Sequence, residues 1–468
     1  MPNLSPRFLR FRHAVVAFTI AAVAAAIVAG SGPSLLRGIG SAAARQPDEP
    51  GVMSDRRPHA GQSFTSRPQG LASTAISGYA LLPFVARPRP LAGPAGRQAP
   101  VPIVAGLLPE ASAIAVDGNL VFIGAGSGLQ IVDVTDPSAP RLLGTNLMKA
   151  RNRLIAHQIV VKGDLAYLLG WEAEASSSIT FFETHSAVLV FDVSNKAQPQ
   201  LILDMGFRET LYSIAVQGTW LYATGWYSEP GGSHDPHFGL VRINAARSDA
   251  LEHQGFQDLG MWLVDLQRMG DSWIAVGMSF PPDNRAALQS LNFADPASGR
   301  SLADLSAVQG MLTSVVPLNG QAYAILDDDP TQVSPGHLLA FNLAPADVAP
   351  APTTIVGLSP AGCVQKSLAA SERTGLLLIT CGQGPDTLVT FAPLVTGTAG
   401  PRFATEPLGQ VILPGQSDTC GFGFQQKPLA VGDDLAFVLG TRFGWNDTVL
   451  SIVDVAAPDS PRILSTLR

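Results

Sequence analysis

The sequence predicts an all-β fold: a seven-bladed β-propeller of four-stranded antiparallel blades, preceded by an N-terminal signal or anchor helix and a disordered linker. Three observations predict it. A strand-and-turn segment recurs with constant internal spacing, a tight hairpin precedes each copy, and the copies follow one another evenly between Glu110 and Arg468.

The chain has 468 residues and opens with Arg7, Arg10 and Arg12, followed by the apolar run Ala14 to Gly30. A basic end, an apolar centre and then small residues, with Ala42-Ala43-Ala44 as a cleavage candidate, is the layout of an export signal. The run is also just long enough for a single-span anchor with its basic end inside. Residues 1–30 therefore read as a signal peptide or a signal anchor, and both place the rest of the chain outside the cytoplasm. Residues 31–109 are rich in Pro, Gly, Ala, Ser and Arg, a composition that buries too little surface to order itself. Within them Ala75 to Phe84 and Val101 to Leu108 are apolar enough for short strands.

The body, residues 110–468, is organised around Leu129 to Gly144, LQIVDVTDPSAPRLLG. Leu129 to Val134 is a short apolar run without helical spacing, a strand. Asp133 closes it, because an Asx side chain bonds the backbone just ahead and starts a turn. Pro140 opens the next strand, a position proline tolerates on an outer edge. The same order returns at Val188 to Leu203 and at Leu450 to Leu464, and the step from Asp to Pro is seven residues each time: Asp133–Pro140, Asp192–Pro199, Asp454–Pro461. Fainter copies place Asn244, Asn292, Asn342 and Ala392 at the same point, so the repeat averages 53.5 residues from Asp133 to Asp454. A repeat of this size marks a solenoid, propeller or array.

Upstream of each copy lies a hairpin with its turn at Gly118, Gly163, Gly218, Gly270, Gly320, Gly375 or Gly432. Glycine there supplies the positive φ of a tight turn between twisted strands. Each repeat thus holds four antiparallel strands, A to D, and seven such units arranged radially leave only short protected edges. No window of the body sustains capped helical spacing. The weaker alternative, a parallel β-helix, has shorter repeats.

The segments around Asp133, Asp192 and Asp454 resemble the LVIVD repeat of bacterial and archaeal surface proteins, named for this strand and continued by a proline-containing turn. The resemblance is strong in repeats one, two and seven and partial in three to six. It implies a propeller and an exported protein. It carries no catalytic residue, because the motif is itself a strand and a turn.

In a four-stranded meander the B–C loops and D–A connections emerge on one face. Here the B–C loops vary in length while the A–B turns are uniformly tight, and insertions on one rim of a rigid scaffold are where repeat proteins carry binding. The rim brings Trp171, Glu172, Trp226, Tyr227, Arg285, Arg442 and Trp445 forward as candidate ligand-binding residues, with a protein or a glycan as the expected partner. The alternative is that these aromatics pack the loops on themselves. His234-Asp235-Pro236-His237 offers two imidazoles and a carboxylate, a zinc set if a fourth group converges on it. A solvated loop is the plainer reading. Asp327 to Asp329 could hold calcium, but the triplet lacks the alternating spacing and glycine of a known calcium loop. His157 on the inner strand of blade two reads as a channel-facing group or, more simply, as a histidine satisfied by its neighbours.

A net charge of −7 gives no basic patch for nucleic acid. There is no G-x-S-x-G, no phosphate-cradling glycine loop and no Cys-x-x-Cys. Cys363 and Cys381 flank the hairpin of repeat six, which makes a disulfide feasible in an exported protein. Cys420 competes as a partner, and three buried thiols remain an equal reading. Two functions follow: a non-enzymatic exported scaffold with no cofactor, or a metal-dependent hydrolase or lactonase with zinc or calcium at the channel mouth. The fold does not choose between them.

Overall fold

The computed structural model describes residues 103–104, 106–108, 111–126, 128–147, 154–172, 185–227, 236–269, 272–279, 285–293, 300–303, 305–306, 308–327, 337–343, 354–357, 366–371, 373–383, 386–397, 400–403, 409–414, 428–442 and 447–468. The chain divides into two units, Met1–Pro94 and Ala95–Arg468, and every described residue belongs to the second. The expected signal or anchor segment, 1–30, and most of the expected linker lie outside the described residues. Among those described, no helix is long and apolar enough to cross a membrane.

Seven antiparallel sheets follow one another along the chain. Blade one is Ala113–Asp117, Leu120–Ala125, Gly128–Asp133 and Arg141–Leu147. Blade two is Leu154–Lys162, Leu165–Glu172, His185–Asp192 and Gln200–Phe207; blade three is Thr210–Gln217, Trp220–Tyr227, His237–Arg247 and Ala250–Asp258. Blade four ends in a two-residue outer strand, Arg300–Ser301, after Met261–Met269, Ser272–Ser279 and Ala286–Leu291. Blade five is Met311–Leu318, Gln321–Asp327, His337–Asn342 and Thr354–Gly357, and blade seven is Leu429–Val431, Leu435–Arg442, Asp447–Asp454 and Arg462–Leu467. The first strand of every blade touches the first strand of the next, and that of blade seven touches that of blade one. The ring is closed.

Blade six shows what the missing Asp at Ala392 does. With no side chain there to start the turn, its third strand runs on from Asp386 to Gly397 and folds back through Gly400–Phe403. The true outer strand, Gly409–Pro414, pairs with Asp386 to Phe391.

Each blade is sandwiched between two others, which explains why its inner strands read as continuous apolar runs. In blade one, Val121, Ile123 and Val132 pack against Phe437 and Ile452 of blade seven, while Phe122, Leu129 and Ile131 pack against Leu168 and Leu189 of blade two. Alternation along one strand therefore feeds two separate cores.

The A–B turns are built as the glycines suggest at most positions. Asn319 and Gly320 both adopt positive φ, 52° and 74°, the signature of a type I′ turn. Gly118, Gly163, Gly218 and Gly375 also have positive φ. Gly432 does not. Its amide bonds the Leu435 carbonyl across Asp433 and Asp434, so that corner needs no left-handed residue.

The Asx turn of the repeat is equally direct. Asp133, Asp192, Asn244 and Asp454 accept from the backbone N–H two residues on, at 2.8, 2.9, 3.0 and 3.0 Å. The hydrogen bonds from Thr135 and Ser194 hold the Asp133 and Asp192 carboxyls below the usual range. A carboxyl whose folded pKa is depressed contributes stability above its unfolded pKa and loses it as pH falls through the folded value. Urea unfolding of Asp133→Asn should therefore show a midpoint slightly below wild type at neutral pH and a smaller acid loss below about pH 4. Asp133→Ala should lose up to about 1 kcal/mol. A larger loss for Asn than for Ala would sink the account.

These turns also fasten the blades. Lys196 and Ala197, in the turn of blade two, lie so close to Gly144 on the outer strand of blade one that a Cβ there would stand 2.3 Å from the Lys196 carbonyl. Gly409 of blade six meets Pro458 of blade seven in the same way, at 2.2 Å. Ser465 of blade seven donates to the Pro137 carbonyl of blade one at 2.7 Å, and Asn146 donates to Pro199 at 2.8 Å.

The chain enters the body earlier than Glu110. Ile103–Val104 adds a parallel fifth strand to the outer edge of blade seven. Gln130, in the middle of the signature strand of blade one, then clasps the incoming segment, its Nε2 donating to Gly106 and its Oε1 accepting from Leu108, both at 2.7 Å.

Candidate functional site

The two faces of the ring differ. The A–B and C–D turns occupy one face and are spent on backbone turns and blade docking. The second strands end and the third strands begin at the other, and the segments that join them differ in length: 126–127 in blade one, 173–184 in blade two, 228–236 in blade three and 328–336 in blade five.

Beneath that variable rim the inner strands of blades two to five each carry a β-bulge, at His157, Tyr212, Val264 and Thr313. A bulge leaves one residue unpaired and re-aims its side chain. Here His157 leans on Trp171, ring centres 4.2 Å apart and planes tilted by 50°, and Tyr212 sits between Trp171 at 5.7 Å and Trp262 at 5.9 Å. Phe238 joins Trp226 at 6.2 Å and Trp262 at 5.7 Å, and Met278 and Met311 fill the same cluster. Burial raises the Tyr212 pKa against the pull of Trp226 and Trp262. Trp171 and Trp226 are each 7% exposed, and the Trp171 indole donates to the Leu211 carbonyl at 2.7 Å. Both tryptophans thus lie under the rim.

The residue after the bulge ties one blade to the next in blades two, three and four. The Gln158 amide accepts from Ile214 N–H at 2.8 Å and Ser213 Oγ at 3.0 Å, and donates to Ile214 O at 3.2 Å. Ser213 accepts from Leu266 N–H at 3.2 Å, and Asp265 accepts from Val315 N–H at 3.0 Å. Ser112 donates to Ala156 O at 2.6 Å, which carries the belt from blade one to blade two. None of these residues stood out in the sequence. The available signal was a polar residue inside an otherwise apolar inner strand.

On the rim itself, Tyr227 pairs in register with His237 and stacks on its ring at 5.0 Å, while Phe256 meets Tyr227 edge-on at 4.8 Å. His237 Nδ1 lies 2.7 Å from Asp258 Oδ2. Burial works against the Asp258 carboxylate, but the His237 contact and the Gly260 N–H outweigh it and keep its pKa low. This leaves an aromatic ledge with one hydrogen-bonded His–Asp pair, part-exposed, on blade three. Glu172 sits opposite His185 at the corresponding edge of blade two. Arg285 exchanges backbone and hydroxyl hydrogen bonds with Ser279 and bridges Gln309, closing the loop of blade four.

Arg442 stands opposite Asp447 in blade seven, and Asp327 ends the second strand of blade five. Trp445, His234, Asp235, Asp328 and Asp329 lie outside the described residues. So do Cys363 and Cys420; Cys381 is on the second strand of blade six, opposite Lys366. Among the described residues no three His, Cys, Asp or Glu side chains converge as metal ligands.

Seven four-stranded sheets in a closed ring define a seven-bladed β-propeller. Residues 110–147 match the family model described as the LVIVD repeat, the segment that spans blade one. No curated protein matches the chain. Among solved structures, a prolyl endopeptidase aligns at 12% identity and TM-score 0.46, over 76% of this chain and 49% of that one. The chain thus spans about half the length of that peptidase. Hsv2 of Kluyveromyces lactis aligns at 8% identity and TM-score 0.46, over 76% of this chain and 98% of that one. Hsv2 of Kluyvelomyces marxianus gives 9% and 0.42, over 74% and 93%.

Proposed function

We propose that this protein is an exported, non-enzymatic propeller scaffold that binds a protein or a glycan through its B–C rim. The observation that carries the reading is the asymmetry of the two faces. Described turns on one face dock blade on blade, as at Gly144 and Lys196, whereas the connections from second to third strand differ in length, from 126–127 in blade one to 173–184 in blade two. The Tyr227–His237 ledge adds a part-exposed aromatic surface with a hydrogen-bonding pair, chemistry that suits a sugar face or a peptide side chain. Support for export comes from the basic-then-apolar opening of the sequence.

The test uses the full chain on a glycan array and in surface cross-linking, beside a variant whose 173–184 segment is replaced by the short connection of blade one. A captured partner lost in that variant, with unchanged unfolding, is the expected result. Capture that ignores the loop would remove the rim from consideration. Elemental analysis of the same sample decides the competing chemistry, since stoichiometric zinc or calcium would favour metal-dependent hydrolysis.

A further inference from the structure

Six of the seven blade junctions are crossed by the chain itself, which runs from the outer strand of one blade into the inner strand of the next, as from Phe207 to Thr210. Blade seven has no such link to blade one, because the blades follow chain order. The inner strands that meet at this seam, Ala113–Asp117 and Leu429–Val431, are five and three residues long. Those of blades two, three and four have nine, eight and nine.

What spans the seam instead is the incoming segment, residues 103–111. Ile103 and Val104 lie parallel to Thr466 and Leu467 of blade seven. The Gly106 and Leu107 amides donate to the Arg468 carbonyl at 2.5 and 3.1 Å, and the Ala111 amide donates to Thr448 Oγ1 of blade seven at 3.1 Å. Leu108 and Ala111 are buried in the core the two blades share, with Val132 of blade one and Phe437, Ile452 and Leu467 of blade seven. The chain then continues into the inner strand of blade one. The segment is a strap with one end on each side of the seam.

Gln130 grips this strap from blade one. Three residues before the Asx turn, the same position holds Leu189 in blade two, Val241 in blade three and Leu339 in blade five, each completely buried in the core shared with the preceding blade. Blades four and seven carry Gln289 and Ser451 there. Gln130 is 1% exposed, and a buried carboxamide is costly unless both its ends are bonded. Both ends go to the strap, at Gly106 O and Leu108 N–H. A carboxamide offers the donor and the acceptor of one peptide unit, so it holds the strap by its backbone. Gly106 fits this grip with φ of 125°, a conformation that glycine adopts without strain.

We propose that residues 103–111 are a releasable latch on the ring and that Gln130 is its catch. When the catch lets go, blades seven and one part at this seam while the other six junctions stay closed. Local opening follows the least supported region of a fold. This seam combines the shortest inner strands described, no crossing of the chain from outer to inner strand, and a strap held by a few backbone hydrogen bonds and Leu108. Residues upstream are joined to the body through the strap, so displacing them acts on the seam directly. The latch is separate from the B–C rim and does not depend on the reading given to it.

The test is hydrogen exchange of the full chain, read by mass spectrometry, in wild type, Gln130→Leu and Gly106→Ala. Gln130→Leu restores the aliphatic residue of the sibling repeats and removes both bonds of the catch. Gly106→Ala leaves Gln130 in place and strains the strap through its φ, which covers the case where the first variant misfolds. Either variant should speed exchange at Leu107–Leu108, Ala113–Asp117 and Leu429–Val431 by about tenfold or more, the scale of one or two lost hydrogen bonds. The inner strands of blades three and four, Thr210–Gln217 and Met261–Met269, should change by less than about threefold. Unchanged exchange at the seam would overturn the proposal, since the strap would then be a packed tail. Equal acceleration in every blade would also overturn it, making Gln130 a general stabiliser of the fold.

Discussion

Gly277→Ala is expected to destabilise the propeller by about 3 kcal/mol, the upper part of the range for overpacking a tight core. Gly277 pairs with Leu263 next to the bulge at Val264, and the bulge carries the first strand over the second. A Cβ at Gly277 would stand 1.8 Å from the Trp262 carbonyl oxygen, a backbone atom that cannot swing away. The equivalent glycines form a graded series. The nearest backbone oxygen would be 2.5 Å from a Cβ at Gly225 (Thr210) and 2.8 Å at Gly170 (Ile155). Denaturant midpoints for the three alanine variants should fall furthest for Gly277 and least for Gly170. Equal losses would mean that the bulges yield and the close approach is not what selects glycine.

Asp265→Ala should cost about 2–3 kcal/mol, because it orphans a buried backbone donor. Asp265 is 2% exposed; its Oδ2 accepts from Val315 N–H at 3.0 Å, and its Oδ1 from Leu266 N–H at 2.7 Å. Leu266 retains Ser213 Oγ as an acceptor, whereas the removal strips Val315 of this one. Asp265→Asn keeps a carbonyl oxygen in place and should lose roughly half as much. Chemical unfolding of both variants checks this, and hydrogen exchange at Val315 should rise in the alanine variant first. An unchanged exchange rate there would show that the belt between blades four and five is held by other contacts.

Much of the architecture is local and so was legible. Asp133, Asp192 and Asp454 act on backbone atoms two residues away, and a turn with that short reach leaves its mark at constant spacing in the chain. The failure of the pattern at Ala392 is equally readable, and the strand that runs on to Gly397 is its consequence. The rim residues were harder. Trp171 and Tyr227 both lie within the last two residues of a second strand, yet one is buried beneath Tyr212 and the other stands part-exposed against His237. Which way each points depends on the neighbouring blade and on the bulge opposite.

By itself the sequence determined the number of repeats and the strand-and-turn order within each. It did so because hairpins and Asx turns are satisfied within a few residues. The tertiary structure alone decided which polar side chains bind across blades. Gln130 closes the entry of the chain, and Gln158 and Asp265 cap backbone groups about fifty residues away. Those roles arise when ring closure sets one repeat against the next. A buried donor or acceptor has its partner chosen by that packing, and no spacing within a single repeat encodes it.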